Sequence, residues 1–172
     1  NPPMRILPLR LLPLAGLLLL GCPGEAPAPA DYEVTARYPH DVTAYTQGLV
    51  WHDSVLFEST GRYAHSELRR VDLATGQVLA RHTLGGDRFG EGLALLGGKL
   101  YQLTWESQVA YVYDAATLAP LDSFVYTGQG WGLATDGTAL WMSDGSDSLR
   151  LLDPATFATT RVVKVRLGGR PV

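Results

Sequence analysis

"TQGLVW" (Thr46–Trp51), "GEGLAL" (Gly90–Leu95) and "GWGLAT" (Gly130–Thr135) share one Gly-Leu step, and the residue before its glycine changes from Gln47 to Glu91 to Trp131. Gly48, Gly92 and Gly132 stand 44 and 40 residues apart. A second marker keeps pace: "RVDLATGQ" (70–77), "VYDAATLA" (112–119) and "LLDPATFA" (151–158) set Asp72, Asp114 and Asp153 at intervals of 42 and 39. Internal periods of this size belong to solenoids, propellers and arrays.

Within each unit the pattern is β. "SVLFEST", "GKLYQLTW" and "TALWMSD" are short alternating runs, followed by "SELRRVD", "VAYVYD" and "SLRLLD", then "QVLARHTL", "PLDSFVY" and "TRVVKVRL". Turn signals such as His52-Asp53, Gly97-Gly98 and Asp136-Gly137 separate them. Four strands in some 40 residues make one propeller blade with the Gly-Leu strand innermost. The expected fold class is therefore all-β, a β-propeller with about three blades present. The aspartates of the second marker cap the turn between the outer two strands through Asx-type hydrogen bonds.

A gapless alignment from the Gly-Leu step makes Glu58, Gln102 and Met142 equivalent, as are Gly61, Trp105 and Gly145. Innermost strands converge at the axis, so Gln47, Glu91 and Trp131 are expected to ring one cavity. Scaffold positions repeat because packing repeats, whereas the axial positions diverge. The repeat alone leaves two readings open: a small-molecule site, or a channel filled with mixed polar side chains. Three blades do not close, since propellers use about 4–8. The "LGGRPV" ending reads as the lead-in to a fourth blade of a longer chain, the alternative being closure by oligomerisation.

The first stretch differs from the rest. Arg5 and Arg10 precede the apolar run Leu11–Leu20 and then Gly21-Cys22, a basic region, a short hydrophobic region and a small residue. That order reads as a secretory signal rather than a spanning helix. "LLGC" resembles the lipobox of bacterial lipoproteins, in which Cys22, the lone cysteine, is acylated. The expected organisation is a signal peptide with lipobox at 1–22, a Pro/Ala-rich tether at 23–32 opening "PGEAPAPA", and an incomplete propeller at 33–172. Cleavage before Cys22 removes two arginines and no acidic residue, taking the formal charge from -3 to -5. An acidic chain of this kind is a poor partner for nucleic acid, and its contact with a membrane is expected only through the lipid anchor. It is expected in the periplasm or at the cell surface.

Beyond the repeat, the motifs resemble a known family. "YPHDVTAYTQGLVW", "LFESTGRYAHSELRRVDLATG", "FGEGLALLGGKLYQLTW", "VYD" and "GWGLATDGTALWMSDGSDSLRLLDPATF" are similar, in order, to the plant and bacterial type of glutaminyl-peptide cyclotransferase. The resemblance covers about residues 33–172. It implies a five-bladed propeller that converts the N-terminal glutamine of peptides or proteins into pyroglutamate with release of ammonia, without metal or other cofactor. It also implies Glu91 as catalytic acid/base, and Gln47, Trp105, Trp131 and Glu58 as substrate-binding residues. The family continues past "G-x-PV" into an "LNELE"-like segment, and its site asparagine and lysine come from that later part.

The chemistry suits these residue types. A carboxylate in a desolvated, aromatic-walled cleft has a raised pKa and can shuttle a proton. The tryptophans can clamp the apolar stem of a glutamine side chain, and Gln47 can orient Glu91 or bind the substrate amide. His40, His52, His65 and His82 lack the spacing of a zinc site. Ser59 and Ser143 lack a G-x-S-x-G elbow. "SDGSDS" (143–148) lacks the remaining ligands of a calcium loop and reads as a solvated turn. The competing reading is a non-catalytic secreted propeller that binds peptides or protein partners through the same funnel.

Overall fold

Strands at the middle of the first two blades are buried in runs, as in β2 (Val55–Thr60) and β6 (Lys99–Thr104), because both of their faces meet neighbouring structure. The computed structural model describes residues 31–172; the expected signal peptide, Cys22 and the tether residues 23–30 lie outside the described residues. Asp31 and Tyr32, the end of the expected tether, are exposed and outside any strand.

Among the described residues there is no helix, and twelve strands form three four-stranded antiparallel sheets. The first blade comprises β1 (Thr46–His52), β2 (Val55–Thr60), β3 (Glu67–Val71) and β4 (Val78–Thr83). The second comprises β5 (Gly90–Leu96), β6 (Lys99–Thr104), β7 (Val109–Asp114) and β8 (Pro120–Val125). The third comprises β9 (Leu133–Thr135), β10 (Leu140–Ser143), β11 (Ser148–Leu152) and β12 (Thr159–Lys164). Each blade pairs its strands in sequence order, with β1, β5 and β9 at one edge. This is the all-β, propeller-like architecture that the repeat predicts.

The register reproduces the repeat. Leu49 pairs with Glu58, Leu93 with Gln102 and Leu133 with Met142, so the three equivalents occupy one ladder position. Asp72, Asp114 and Asp153 each accept bonds from the backbone N–H and the hydroxyl of the threonine three residues on, capping the outer turn of every blade. One strand departs from expectation. "TRVVKVRL" does not run through: β12 stops at Lys164, the end of its ladder with β11. Val165 then donates its N–H to the Asp147 carbonyl, and the chain turns into a small hairpin, β13 (Arg166–Leu167) with β14 (Arg170–Pro171).

Two apolar layers hold the blades together. Phe57 and Leu68 of the first blade pack with Leu93, Leu100 and Tyr113 of the second. On its other face the second blade offers Tyr101, Leu103, Val112 and Tyr126 to Leu140, Met142, Leu152 and Phe157 of the third. Each fully buried aliphatic or aromatic side chain contributes about 1.5–3 kcal/mol. At the inner edge there is no room for side chains. A Cβ on Gly48 would lie 2.7 Å from the Leu93 backbone nitrogen, and one on Gly92 would strike the backbone of Trp131, Gly132 and Leu133. The Gly92 N–H donates to the Trp131 carbonyl at 2.7 Å, a hydrogen bond between blades. The glycine of the Gly-Leu step is therefore the point where neighbouring innermost strands touch backbone to backbone.

Gly92→Ala is expected to cost about 2–4 kcal/mol, from overpacking and the displaced inter-blade hydrogen bond. Gly97→Ala, whose Cβ meets nothing within 4 Å, is expected to cost only about 1 kcal/mol for its left-handed backbone. Urea unfolding midpoints compare the two, and equal losses would contradict the backbone contact.

Candidate functional site

Two of the three axial residues owe their position to bulges. Between Thr46 and Gly48 the β1–β2 ladder skips Gln47, and between Gly90 and Leu93 the β5–β6 ladder takes one residue too many at Glu91-Gly92. In the third blade Trp131 precedes β9, whose ladder begins at Leu133. A bulge frees a residue from the pleat and re-aims its side chain. All three repeat positions thus lie outside the paired ladder, and the side chains of Gln47 and Trp131 converge on Glu91. The Gln47 Nε2 donates to Glu91 Oε2 at 2.7 Å, while Glu91 and Trp131 line one cleft of about 240 Å³ with Tyr45, Phe89 and Trp105. That volume suits a single amino-acid side chain and falls below the ~300–1,000 Å³ of most small-molecule pockets. Four cavities are larger, at about 250 to 420 Å³; two lie against the charged face of the first blade and at the turns around His52 and Gly98, two beside Tyr101 and Pro154, and none contains Glu91.

Glu91 is 9% exposed. Burial among the rings pushes its carboxyl up to about 7, against the Gln47 hydrogen bond, which lowers it. No cation pairs with it among the described residues. Its backbone is anchored too: Ser59 Oγ donates to the Glu91 carbonyl, and buried Gln102 donates from Nε2 to Ser59 Oγ at 2.8 Å.

The aromatic wall is built edge to face. Phe89 meets Tyr45, Tyr63 and Trp105 with ring centroids 5.9, 5.5 and 5.8 Å apart. The equivalence of Gly61, Trp105 and Gly145 now has a physical basis. A Cβ on Gly61 would run into the Phe89 ring, and one on Gly145 would lie 2.7 Å from Trp131 Cζ2. Glycine makes room for a ring in two blades; in the second blade the same position supplies the ring.

Of the expected site residues, Gln47, Glu91, Trp105 and Trp131 converge. Glu58 stands apart, 1% exposed and off the cleft wall. It accepts from Thr46 Oγ1, lies 2.8 Å from His40 Nε2, and stands 3.6 Å from Arg69 Nη1. Arg69 also pairs with Glu67 at 2.7 Å and Asp41 at 3.0 Å. The hydroxyl and N–H of Thr43, with Arg69 beside them, hold the Asp41 carboxyl down at about 2. This network fastens the segment leading into β1, which carries Tyr45 and Gln47. Asp144 and Asp147 of "SDGSDS" are engaged by Ser146, Arg150 and Lys164. Among the described residues no three His, Cys, Asp or Glu side chains converge as a metal site.

Sequence reading missed Tyr45, Phe89 and Gln129. Each sits two residues before an axial position, at 47, 91 and 131, and ahead of the first strand of its blade. Tyr45 and Phe89 line the cleft, while Gln129 accepts bonds from both cleft indoles. That shared offset is the signal from which they could have been found.

The fold and the cleft together define a β-propeller with a raised-pKa carboxyl in an aromatic-walled axial pocket. The chain belongs to the glutamine cyclotransferase family, whose model matches residues 15–172. It is 44% identical over 144 residues to a glutaminyl-peptide cyclotransferase of Arabidopsis thaliana, covering 83% of this chain and 45% of that protein. The crystal structure of Myxococcus xanthus glutaminyl cyclase superposes with a TM-score of 0.73 at 39% identity, covering 78% of this chain and 57% of that one. The chain thus spans about half the length of these relatives. The WD40 domain of Neurospora crassa Pan2 matches in fold alone, with a TM-score of 0.59 at 11% identity, over 69% of this chain and 36% of that one.

A carboxyl whose folded pKa lies above its unfolded value of 4.5 weakens the fold as pH rises from there to about 7, because the folded state holds a proton that the unfolded state has released. Glu91→Gln is therefore expected to gain stability relative to the parent at pH 8 but not at pH 4. Urea melts of both proteins at the two pH values check this; a constant difference would contradict the raised pKa.

Proposed function

We propose that the Glu91 cleft belongs to a glutaminyl-peptide cyclotransferase acting on peptides or proteins with an N-terminal glutamine. The α-amine nitrogen attacks the γ-carboxamide carbon of the same residue, closing a five-membered lactam. The bond from that carbon to the amide nitrogen then breaks, and ammonia leaves. Proton balance needs one shuttle: the Glu91 carboxylate takes a proton from the attacking nitrogen and returns it to the departing one. A carboxyl with pKa about 7 is present in both protonation states at neutral pH, as that exchange requires. The substrate amine, with a pKa near 7.7–8.0, then also has a useful neutral fraction. The transfer asks for no metal or cofactor.

The remaining residues position the reactants. Trp105, Trp131 and Phe89 wall the cleft around the apolar stem of the glutamine side chain and keep water from Glu91. Gln47 orients the carboxyl by its single hydrogen bond. Glu58 acts at a distance, holding the strand that carries Gln47 rather than touching substrate. The observation that carries the reading is the desolvated Glu91, bonded to Gln47 and without a paired cation among the described residues, in a chain of this family. Export and lipid anchoring at Cys22, with a periplasmic or cell-surface location, belong to the same proposal and are supported by the "LLGC" stretch; loss of detergent-phase partitioning in Cys22→Ser tests them.

With the full-length protein and a glutamine-initiated peptide, mass spectrometry is expected to show loss of one ammonia. Glu91→Gln is expected to slow that turnover by about 10²–10⁴-fold, the usual share of general acid–base catalysis. Conversion unchanged in the variant would overturn the assignment, and a parent that binds the peptide without converting it would favour the non-catalytic reading.

A further inference from the structure

Tyr45, Phe89 and Gln129 occupy the same position in successive repeats, yet only the first two are rings. The third blade replaces an aromatic wall with a carboxamide. Its oxygen accepts from Trp105 Nε1 at 3.0 Å and from Trp131 Nε1 at 2.9 Å. An indole N–H can only donate, and a carboxamide oxygen has two lone pairs, so this oxygen is matched to two indoles at once. The amide orientation is set from the other side, where Nε2 faces Glu106 Oε1 at 3.4 Å. Trp105 follows β6 in the second blade and Trp131 precedes β9 in the third, so a single side chain bridges two blades at the cleft. Trp131 needs such a tether, because it is 47% exposed.

We propose that Gln129 is a positioning residue that fixes the spacing and tilt of the two indoles and so sets the width of the cleft entered by the substrate's glutamine side chain. The inference rests on the cyclotransferase reading for the identity of that side chain, but the clamp itself does not. With both N–H groups occupied, the tryptophans offer the substrate their rings and no donors. They select the apolar stem by shape, and recognition of the carboxamide falls to Glu91 and Gln47. An acceptor at position 129 is what the clamp requires, so glutamate can replace glutamine there once the facing Glu106 is made Gln to supply the donor, and leucine cannot.

The test compares Gln129→Leu with a glutamate variant that combines Gln129→Glu with Glu106→Gln, in the full-length protein, ¹⁵N-labelled. Of the signals from the four tryptophans in this chain, those of Trp105 and Trp131 are expected to move in the leucine variant and to stay near the parent positions in the glutamate variant. KM for a glutamine-initiated peptide is expected to rise about tenfold in Gln129→Leu, equal to about 1.4 kcal/mol and the scale of one or two neutral hydrogen bonds. kcat is expected to change far less, and the glutamate variant is expected to restore KM. If the leucine variant does not fold, Gln129→Asn, one methylene short of reaching both rings, carries the same expectation. Unmoved indole signals, or an unchanged KM once they have moved, overturn the proposal. A parent with no turnover sinks the cyclase reading instead, while the indole signals still decide the clamp.

Discussion

Innermost strands that touch through their backbones leave no space for a side chain at the contact. Gly48 lies against Gly92-Leu93, and Gly92 against Trp131–Leu133. Much of the site depends on that closeness. The residue before each of these two glycines departs from its ladder while Trp131 precedes the third, and together they bring an amide, a carboxyl and an indole to one place. The scaffold is thus repeated by packing, while the chemistry varies at the one position per blade that packing does not specify.

The same geometry accounts for the electrostatics. Charges in the first blade are collected into a network of Asp41, Glu58, Glu67, Arg69 and Arg81, in which Arg69 serves three carboxylates. Asp41, at the open edge of that network, is held well below the usual carboxylate range by Thr43 and Arg69. Among the described residues Glu91 receives neither a cation nor a second hydrogen-bond donor to its carboxylate, and desolvation wins over its bond from Gln47. Two carboxyls in one small fold are driven in opposite directions, and the one driven upward is the one in the cleft.

Much of this is legible in the amino-acid sequence. The gapless equivalence of Glu58, Gln102 and Met142 follows from the spacing alone, because each blade pairs its first two strands in the same register. The turn aspartates were readable because an Asx cap is local and needs only the threonine three residues on. The convergence of Gln47, Glu91 and Trp131 was readable as a ring around an axis, but not the bulges at the first two, since a bulge depends on the partner strand. Tyr45, Phe89 and Gln129 were passed over because their contacts cross between blades and no local rule speaks for them. Glu58 shows the converse: a motif residue beside a site motif, which the structure places in the support of β1.

The proposed proton transfer turns on one physical quantity, the proton affinity of Glu91 in its cleft. The most direct measurement is a ¹³C NMR titration of glutamate carboxyls in the full-length protein, with the Glu91 signal assigned by its absence in Glu91→Gln. The account predicts a midpoint near 7 for this carboxyl. A midpoint at the ordinary glutamate value of 4.5 would contradict it, because the cleft would then not be desolvated enough for Glu91 to pass a proton between two nitrogens.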